Sequence, residues 1–489
     1  MPLHPALVIL PPAAVTAAMW ATSANAVSPT SLVCAHVILQ AAWGSYLLWK
    51  ERIRGGLPMF AMIASIYWIF FAVSLFWGGR TLVAFAGRLI EIGDDYVTQT
   101  MIMALIGVIC LWAGMRLPLG TPSVRDLPDV DERASSSLAY LRIVLVATTS
   151  IGLYAPAIYL LGAEGRQVMI VLSTSVPAAA FLLLLRRCWM GTASPVDKPL
   201  LLTNAAIRIA GSLASGWLGP VISLGLTVVA LYLVIRGRIP WTPILLTVAA
   251  IFFLQVGKEE FRSVYWGDTT GDDVLERAQF WVGTSASKWA DALGGGSNNT
   301  GQLASRTMQR TSLLTQVAHV VELTPSQVPF QNGETYSYFA VTLIPRLVWP
   351  DKPSVSEANR FYQLAYGLSD SRTVESTSIA VGSMAEGYIN FGWFGVISVM
   401  LGLGVVLRVY ERLCTADQTN TLVLAIGISL LPQLLTIESQ LGQYLAGMFQ
   451  QIILTFAVFL PVTRWKSRTA ARVVVPAFRF REHPAQPLQ

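Results

Sequence analysis

Apolar runs of roughly 17 to 22 residues recur from one end of this 489-residue chain to the other. Each is long enough to cross about 30 Å of hydrocarbon as a helix. They lie at about 6–22, 31–49, 57–77, 99–115, 140–161, 167–185, 199–216, 218–235, 239–256, 390–408, 420–437 and 442–462. Such spacing predicts an all-α, polytopic membrane protein with about 12 transmembrane helices. Composition agrees: 54% of the residues are apolar, 13% are charged and the mean hydropathy is +0.55, so lipid is the solvent for most of the chain.

The net charge of +6 does not point to nucleic acid, because Lys and Arg sit in short clusters between apolar runs. These clusters fall on alternate connections: Lys50, Arg52 and Arg54; Arg116, Arg125 and Arg133; Arg186, Arg187 and Lys198; Arg236 and Arg238; Arg408 and Arg412; and the tail from Arg464 to Arg481. The positive-inside rule makes those connections, and both termini, cytoplasmic. The intervening short connections hold only Arg80, Arg88 and Arg166. Ala24-Asn25-Ala26 resembles a signal-peptidase site, but no Lys or Arg precedes the apolar stretch before it, so an uncleaved first helix is expected. The four cysteines and four histidines show no metal-ligand spacing and no CxxC pair. No metal site and no cofactor is expected.

The organisation that follows is a nine-helix region at 1–256, a large extracytoplasmic segment at 257–389, three further helices at 390–462 and a basic cytoplasmic tail at 463–489. The segment 257–389 breaks the apolar pattern with ten Lys or Arg, fourteen Asp or Glu and the tract Gly294-Gly295-Gly296-Ser297-Asn298-Asn299. Long loops translocate largely regardless of charge, so its cations do not conflict with the orientation. Within it, Thr307 to Leu323 carries apolar positions at helical spacing and is expected on the membrane surface or packed beneath the loop. There is no internal repeat, P-loop or GxGxxG, which leaves no basis for an ATP-driven pump or a dinucleotide enzyme.

Between Gly333 and Pro353 the chain reads GETYSYFAVTLIPRLVWPDKP, and between Glu386 and Gly395 it reads EGYINFGWFG. These strings resemble the Wzy-type polymerases of O-antigen and exopolysaccharide, over roughly residues 300 to 400, with a weaker similarity to O-antigen ligases. The resemblance implies a GT-C-like helical bundle in the bacterial inner membrane that joins polyprenyl-pyrophosphate-linked oligosaccharide repeat units on the periplasmic side. It implies a lipid-linked donor and acceptor, membrane lipid, a chain-length regulator and a repeat-unit flippase as partners, and no nucleic acid.

In such a reaction a sugar hydroxyl attacks an anomeric carbon whose leaving group is a polyprenyl pyrophosphate. Departing phosphate calls for Arg or Lys at the membrane surface, and the attacking hydroxyl calls for a carboxylate or His to take its proton. Arg346 is the first cation candidate, held between Pro345 and the stiff Trp349-Pro350-Asp351-Lys352-Pro353 segment; an interfacial anchor is the alternative. Lys352, Lys258, Arg262, Arg306 and Arg310 are further phosphate-binding candidates, each equally readable as a solvated or interfacial cation. Arg208 lies near the middle of an apolar span, with Asn204 one turn before it and Ser212 one turn after, and should face the bundle interior.

Glu386, where the external segment meets the tenth span, is the first candidate for the base, with a capping or pairing role as the alternative. Glu375 is the second, and His319, the external histidine, reads more readily as a packing residue on an apolar helical face. Tyr336, Trp349 and Tyr388 are candidates for sugar contact, against a plain interfacial aromatic belt. A glycan ligase and a transporter of lipid-linked sugar are the competing functional classes. Transporters of this size often carry inverted repeats, and none is visible here.

Overall fold

The computed structural model describes residues 4–52, 56–78, 80–84, 88–118, 120, 124, 127–153, 163–265, 274–294, 312–342, 349, 353, 356–374, 378–379, 381–413 and 420–464. Each of the twelve apolar runs is occupied by a helix over its described residues. In the first half these are α1 (Pro5–Ala21), α2 (Pro29–Arg52), α3 (Met59–Trp77), α4 (Asp94–Arg116), α5 (Ser135–Leu153), α6 (Ala163–Met190), α7 (Asp197–Ser215), α8 (Gly219–Arg236) and α9 (Trp241–Gln255). The segment 257–389 contributes α10 (Lys258–Tyr265), α11 (Val274–Gly294), α12 (Leu314–Leu323), α13 (Glu334–Thr342) and α14 (Glu357–Ala365). The last three are α15 (Gly382–Glu411), α16 (Thr421–Leu434) and α17 (Leu441–Phe459). Strand pairing among the described residues is confined to two small antiparallel pairs, β1 (Thr81–Val83) with β2 (Leu89–Glu91) and β3 (Asp129–Val130) with β4 (Thr463–Arg464).

By length and composition seven of these helices can each cross a membrane, or eight if α9 and α10 are one span broken by their 56° bend. Helices α1, α5 and α16 are apolar but shorter. The protein is therefore a mostly helical, multi-pass membrane protein. Local chemistry ends the helices where the sequence does: Gly216 and Gly237 close α7 and α8 in left-handed conformation at φ 68° and 62°, which costs glycine little. At the start of α16 the Asn420 side chain accepts the Val423 N–H at 3.0 Å.

Connections that carry basic clusters meet one another. Arg186 pairs with Glu132 at 2.7 Å, Arg142 with Asp197 at 2.8 Å and Arg464 with Asp131 at 2.9 Å. The Asn420 amide reaches the carbonyls of Leu127 and Pro128 at 3.1 and 3.3 Å. At the other end the connections poor in cations gather: Asn25 donates to the Gly78 carbonyl at 2.7 Å, and Ser28 meets Thr98 at 3.0 Å.

The bundle core is built on glycine. A Cβ on Gly114 of α4 would overlap the Leu401 carbonyl and lie 3.1 Å from the Gly404 Cα of α15, and one on Gly107 would lie 3.0 Å from Met384 Sδ. Small residues at these positions let the two backbones touch, as helix pairs in lipid require for dispersion contact. Leu218, Phe261 and Trp281 form a separate small core where α10 and α11 fold together.

Two expectations are refined here. Helix α12, the described part of the amphipathic stretch, is not at the surface: Leu314, Val317, Ala318 and Val320 are fully buried. Its start is held by α3, whose residues Trp68–Val73 widen into a π turn. That widening leaves the Phe70 carbonyl to accept the Leu313 N–H at 3.1 Å, while the Ser312 hydroxyl donates to Ser74 at 2.8 Å. Second, α15 begins at Gly382, eight residues before the apolar run, because its first arm is a separate helix folded back on the second.

Candidate functional site

The EGYINFGWFG string forms a helical hairpin. At Phe391 the backbone leaves helical geometry (φ −139°, ψ 19°), and at Gly392 it turns through φ 60°, ψ −142°, a conformation suited to glycine. Gly387 and Gly395 would stand about 12 Å apart on a straight helix. Instead a Cβ on Gly387 would lie 2.8 Å from the Gly395 carbonyl oxygen, so the arms 382–390 and 393–411 cross backbone to backbone.

Glu386 sits on the first arm with its side chain wholly out of solvent (0%). One carboxylate oxygen accepts the Thr335 hydroxyl at 2.8 Å, and the other accepts the Leu441 backbone N–H at 2.6 Å, at the amino end of α17. A negative charge there answers both an orphan N–H and the helix dipole. No cation pairs with it among the described residues. Asn390, one turn on, donates to Thr335 Oγ1 at 2.7 Å and to the Glu386 carbonyl at 2.8 Å, and its Oδ1 accepts the Gly333 N–H at 2.9 Å. Gln331 and Asn332 add backbone bonds to the carbonyls of Ile389 and Asn390 at 3.0 and 3.2 Å. Thus the start of the first string that carried the resemblance and the first arm of the second, some fifty residues apart, are stitched into one unit.

Around the hairpin turn lies a rim of aromatic rings. Tyr388 meets Trp393 edge-on at 6.0 Å and Phe330 at 6.3 Å, and Tyr336 packs against Phe391 at 6.4 Å. Tyr388 is buried, whereas Phe391, Trp393, Phe394 and Trp349 are exposed. Burial, and then the nearby Glu386 charge, push the Tyr336 phenol well above its ordinary range. Of the proposed sugar-contacting residues, Tyr336 and Tyr388 therefore belong to this rim, with Tyr388 behind it.

The connection between α16 and α17 packs against the other end of the first arm. Gly382, at φ 82°, leaves room for this loop, since a Cβ there would lie 2.7 Å from the Ile437 carbonyl oxygen. Ser383 donates to the Ser439 carbonyl at 2.8 Å, and the Gln440 amide donates to the Ala358 carbonyl of α14 at 3.1 Å. In this tightly tied loop stands Glu438, half-buried, with no hydrogen bond or ion pair among the described residues. Burial pushes its carboxyl up. Sequence reasoning passed over it as part of a short connection; a lone acid between two apolar runs, in LLTIESQL, was the available signal.

Other candidates lie elsewhere. His319 is buried on α12, with Nε2 3.1 Å from the Tyr366 carbonyl and Nδ1 3.5 Å from Glu322, the geometry of a packing residue. Arg208 lies on the inward stripe of α7, flanked by the buried Asn204 and Ser212, yet is itself only half-buried. Asn204 bonds the Thr149 hydroxyl of α5 at 2.7 Å, while Arg208 has no acidic partner among the described residues. Lys258 and Arg262, one turn apart on α10, line an open recess of about 410 Å³ with Gln255 and Glu259. Glu375, Arg306, Arg310, Arg346 and Lys352 lie outside the described residues.

Among the described residues no His, Cys, Asp and Glu cluster could hold a metal ion. What the described atoms offer is a carboxylate neighbourhood capable of proton transfer, aromatic faces for a ring-shaped ligand, and membrane helices on every side. No curated protein and no solved structure matches the chain. One family profile does, over residues 97–418, which include Arg208 and the whole Glu386 hairpin. The chain accordingly belongs to the family defined by the domain of unknown function DUF8712.

Proposed function

We propose that this protein is a glycosyltransferase of the Wzy polymerase type, which joins polyprenyl-pyrophosphate-linked oligosaccharide units at the outer face of a bacterial inner membrane. The observation that supports the reading is the bonding of Gln331–Gly333 and Thr335 to the Glu386–Asn390 arm, which brings the start of one resemblance string and the first arm of the other together around a buried carboxylate. On this reading the twelve helices all cross the bilayer and both termini are cytoplasmic. Residues 257–389 and the α16–α17 connection then share the outer face.

The chemistry asks little of the protein beyond positioning. An acceptor hydroxyl forms a bond to the donor's anomeric carbon, the bond from that carbon to the phosphate oxygen breaks, and the pyrophosphate leaves with the electron pair. The hydroxyl proton passes to a carboxylate at the site. Arg346 and Lys352, in the segment that runs into α14, would meet the leaving pyrophosphate, and the rim of Phe391 and Trp393 would stack on sugar rings. Lys258 and Arg262, at the foot of the α9 span, suit a lipid phosphate waiting at headgroup level.

Two measurements test the reading. Purified protein in lipid nanodiscs should convert a lipid-linked repeat unit into a ladder of longer products, and a strain without the protein should display single-repeat glycan. Long, unattached chains in that strain would identify a ligase instead. Arg346→Lys, which keeps the charge and loses the bidentate fork, should weaken the ladder at normal membrane abundance.

A further inference from the structure

We infer that Glu438, and not Glu386, is the carboxylate that takes the acceptor's proton, and that Glu386 is a positioning residue that holds α17 and the hairpin beneath it. This assignment rests on the transferase reading above and names the base within that site.

The two acids differ in what their oxygens do. Glu386 spends one oxygen on the Thr335 hydroxyl and the other on the Leu441 N–H, and its side chain has no solvent-facing surface. A group so placed must break a hydrogen bond and admit a substrate into the protein core before it can accept a proton. Glu438 stands three residues before Leu441, half-buried beside the Gly382 end of the same arm, with neither oxygen engaged by a described residue. A half-buried carboxylate with no partner keeps its oxygens open to an incoming hydroxyl.

The loop around Glu438 is not loose, so its orphan state is not the result of poor order. Bonds from Ser383 and Gln440, the Thr436 hydroxyl on the Gln433 carbonyl at 2.6 Å, and the Gly382 backbone packed under Ile437 hold it from three sides. Through Ala358 it abuts α14, the helix into which the WPDKP string runs. The arm from Gly382 to the turn at Phe391 is roughly 13 Å long. Glu438 and the aromatic rim therefore stand at the two ends of one short helix, a separation suited to an oligosaccharide and too long for a single sugar. In the reaction the acceptor oxygen bonds the anomeric carbon, its proton moves to a Glu438 carboxylate oxygen, and the pyrophosphate departs with the electrons of the broken bond.

The experiment compares wild type, Glu438→Gln, Glu438→Asp and Glu386→Gln in nanodiscs, each scored for elongation rate, for binding of the lipid-linked donor and for thermal stability. Loss of a general base should slow elongation by on the order of 10²- to 10⁴-fold in Glu438→Gln with donor binding and stability kept, and Glu438→Asp should recover part of the rate. Glu386→Gln should lose stability, with elongation falling in proportion to folded protein. Labelling with a water-soluble carbodiimide and an amine probe should mark Glu438 and spare Glu386. Elongation by Glu438→Gln within threefold of wild type would overturn the assignment and leave the transferase reading standing. A wild type that binds no lipid-linked donor and makes no product would remove both.

Discussion

The Glu386 carboxylate accepts the Leu441 N–H at 2.6 Å, so the first turn of α17 is anchored by a side chain fifty-five positions earlier in the chain. Replacement by Ala leaves that donor buried without an acceptor, at a cost of about 1–3 kcal/mol, and frees the Thr335 hydroxyl as well. Glu386→Ala should unfold several degrees below wild type in detergent, followed by tryptophan fluorescence. An unchanged melting temperature would mean that α17 does not depend on this contact.

Glycine spacing gives a second prediction. Gly387→Ala and Gly395→Ala each place a methyl group against the other arm's backbone, which cannot move aside as a flexible side chain would. Both variants should reach the membrane at a small fraction of wild-type abundance. Gly402→Ala, where nothing lies within 4 Å, should stay within about 0.5 kcal/mol of wild type. Equal abundance of all three, read by immunoblot of membrane fractions, would contradict the backbone crossing.

Arg208 supplies a third. It lies on the inward stripe of α7 with Asn204 and Ser212, and a cation in that position is sustained by water or an anion. In a background with Cys34, Cys110, Cys188 and Cys414 replaced, Arg208→Cys should react with a charged, membrane-impermeant thiol reagent faster than Ile209→Cys, which faces outward. Reaction at the outward site alone would place Arg208 against lipid.

Glu438 carries a pH-dependent stability signature of its own. Burial raises its carboxyl pKa in the folded protein, so over the pH range from the ordinary carboxyl value of about 4.3 up to the raised one the folded state binds more protons than the unfolded. Its contribution to stability therefore declines as pH rises through that window. Glu438→Gln should melt above wild type at pH 8, and the gap should close as pH falls toward 4. A variant less stable than wild type at pH 8 would show that the carboxylate is held by favourable contacts.

Sidedness can be tested directly. A periplasmic phosphatase fused near Asn298 should be active, and fusions near Leu200 or Ala470 inactive. Activity at Ala470 would break the alternation of basic clusters on which the orientation rests.

The membrane class, the positions of the helices and the two groups of connections were legible in the sequence, because hydrophobic length and charge clustering are local properties. Arg208 could be assigned to the same helix stripe as Asn204 and Ser212 from helical spacing alone. The site could not be read this way. EGYINFG reads as the lead-in to a span, and only the contact between Gly387 and Gly395 turns it into a hairpin; only that hairpin, with α17 laid across its first arm, buries Glu386 and ties up both of its oxygens. Glu438 shows the same limit from the other side, since a single acid in a six-residue connection has no local pattern, and its burial, its missing partners and its nearness to Gly382 are set by helices up to eighty residues away in sequence. The sequence by itself determined which solvent each segment meets. Which carboxylate is spent on structure and which is left available was decided by tertiary packing, because hydrogen-bond satisfaction in a buried site belongs to the assembled neighbours and not to any one stretch of chain.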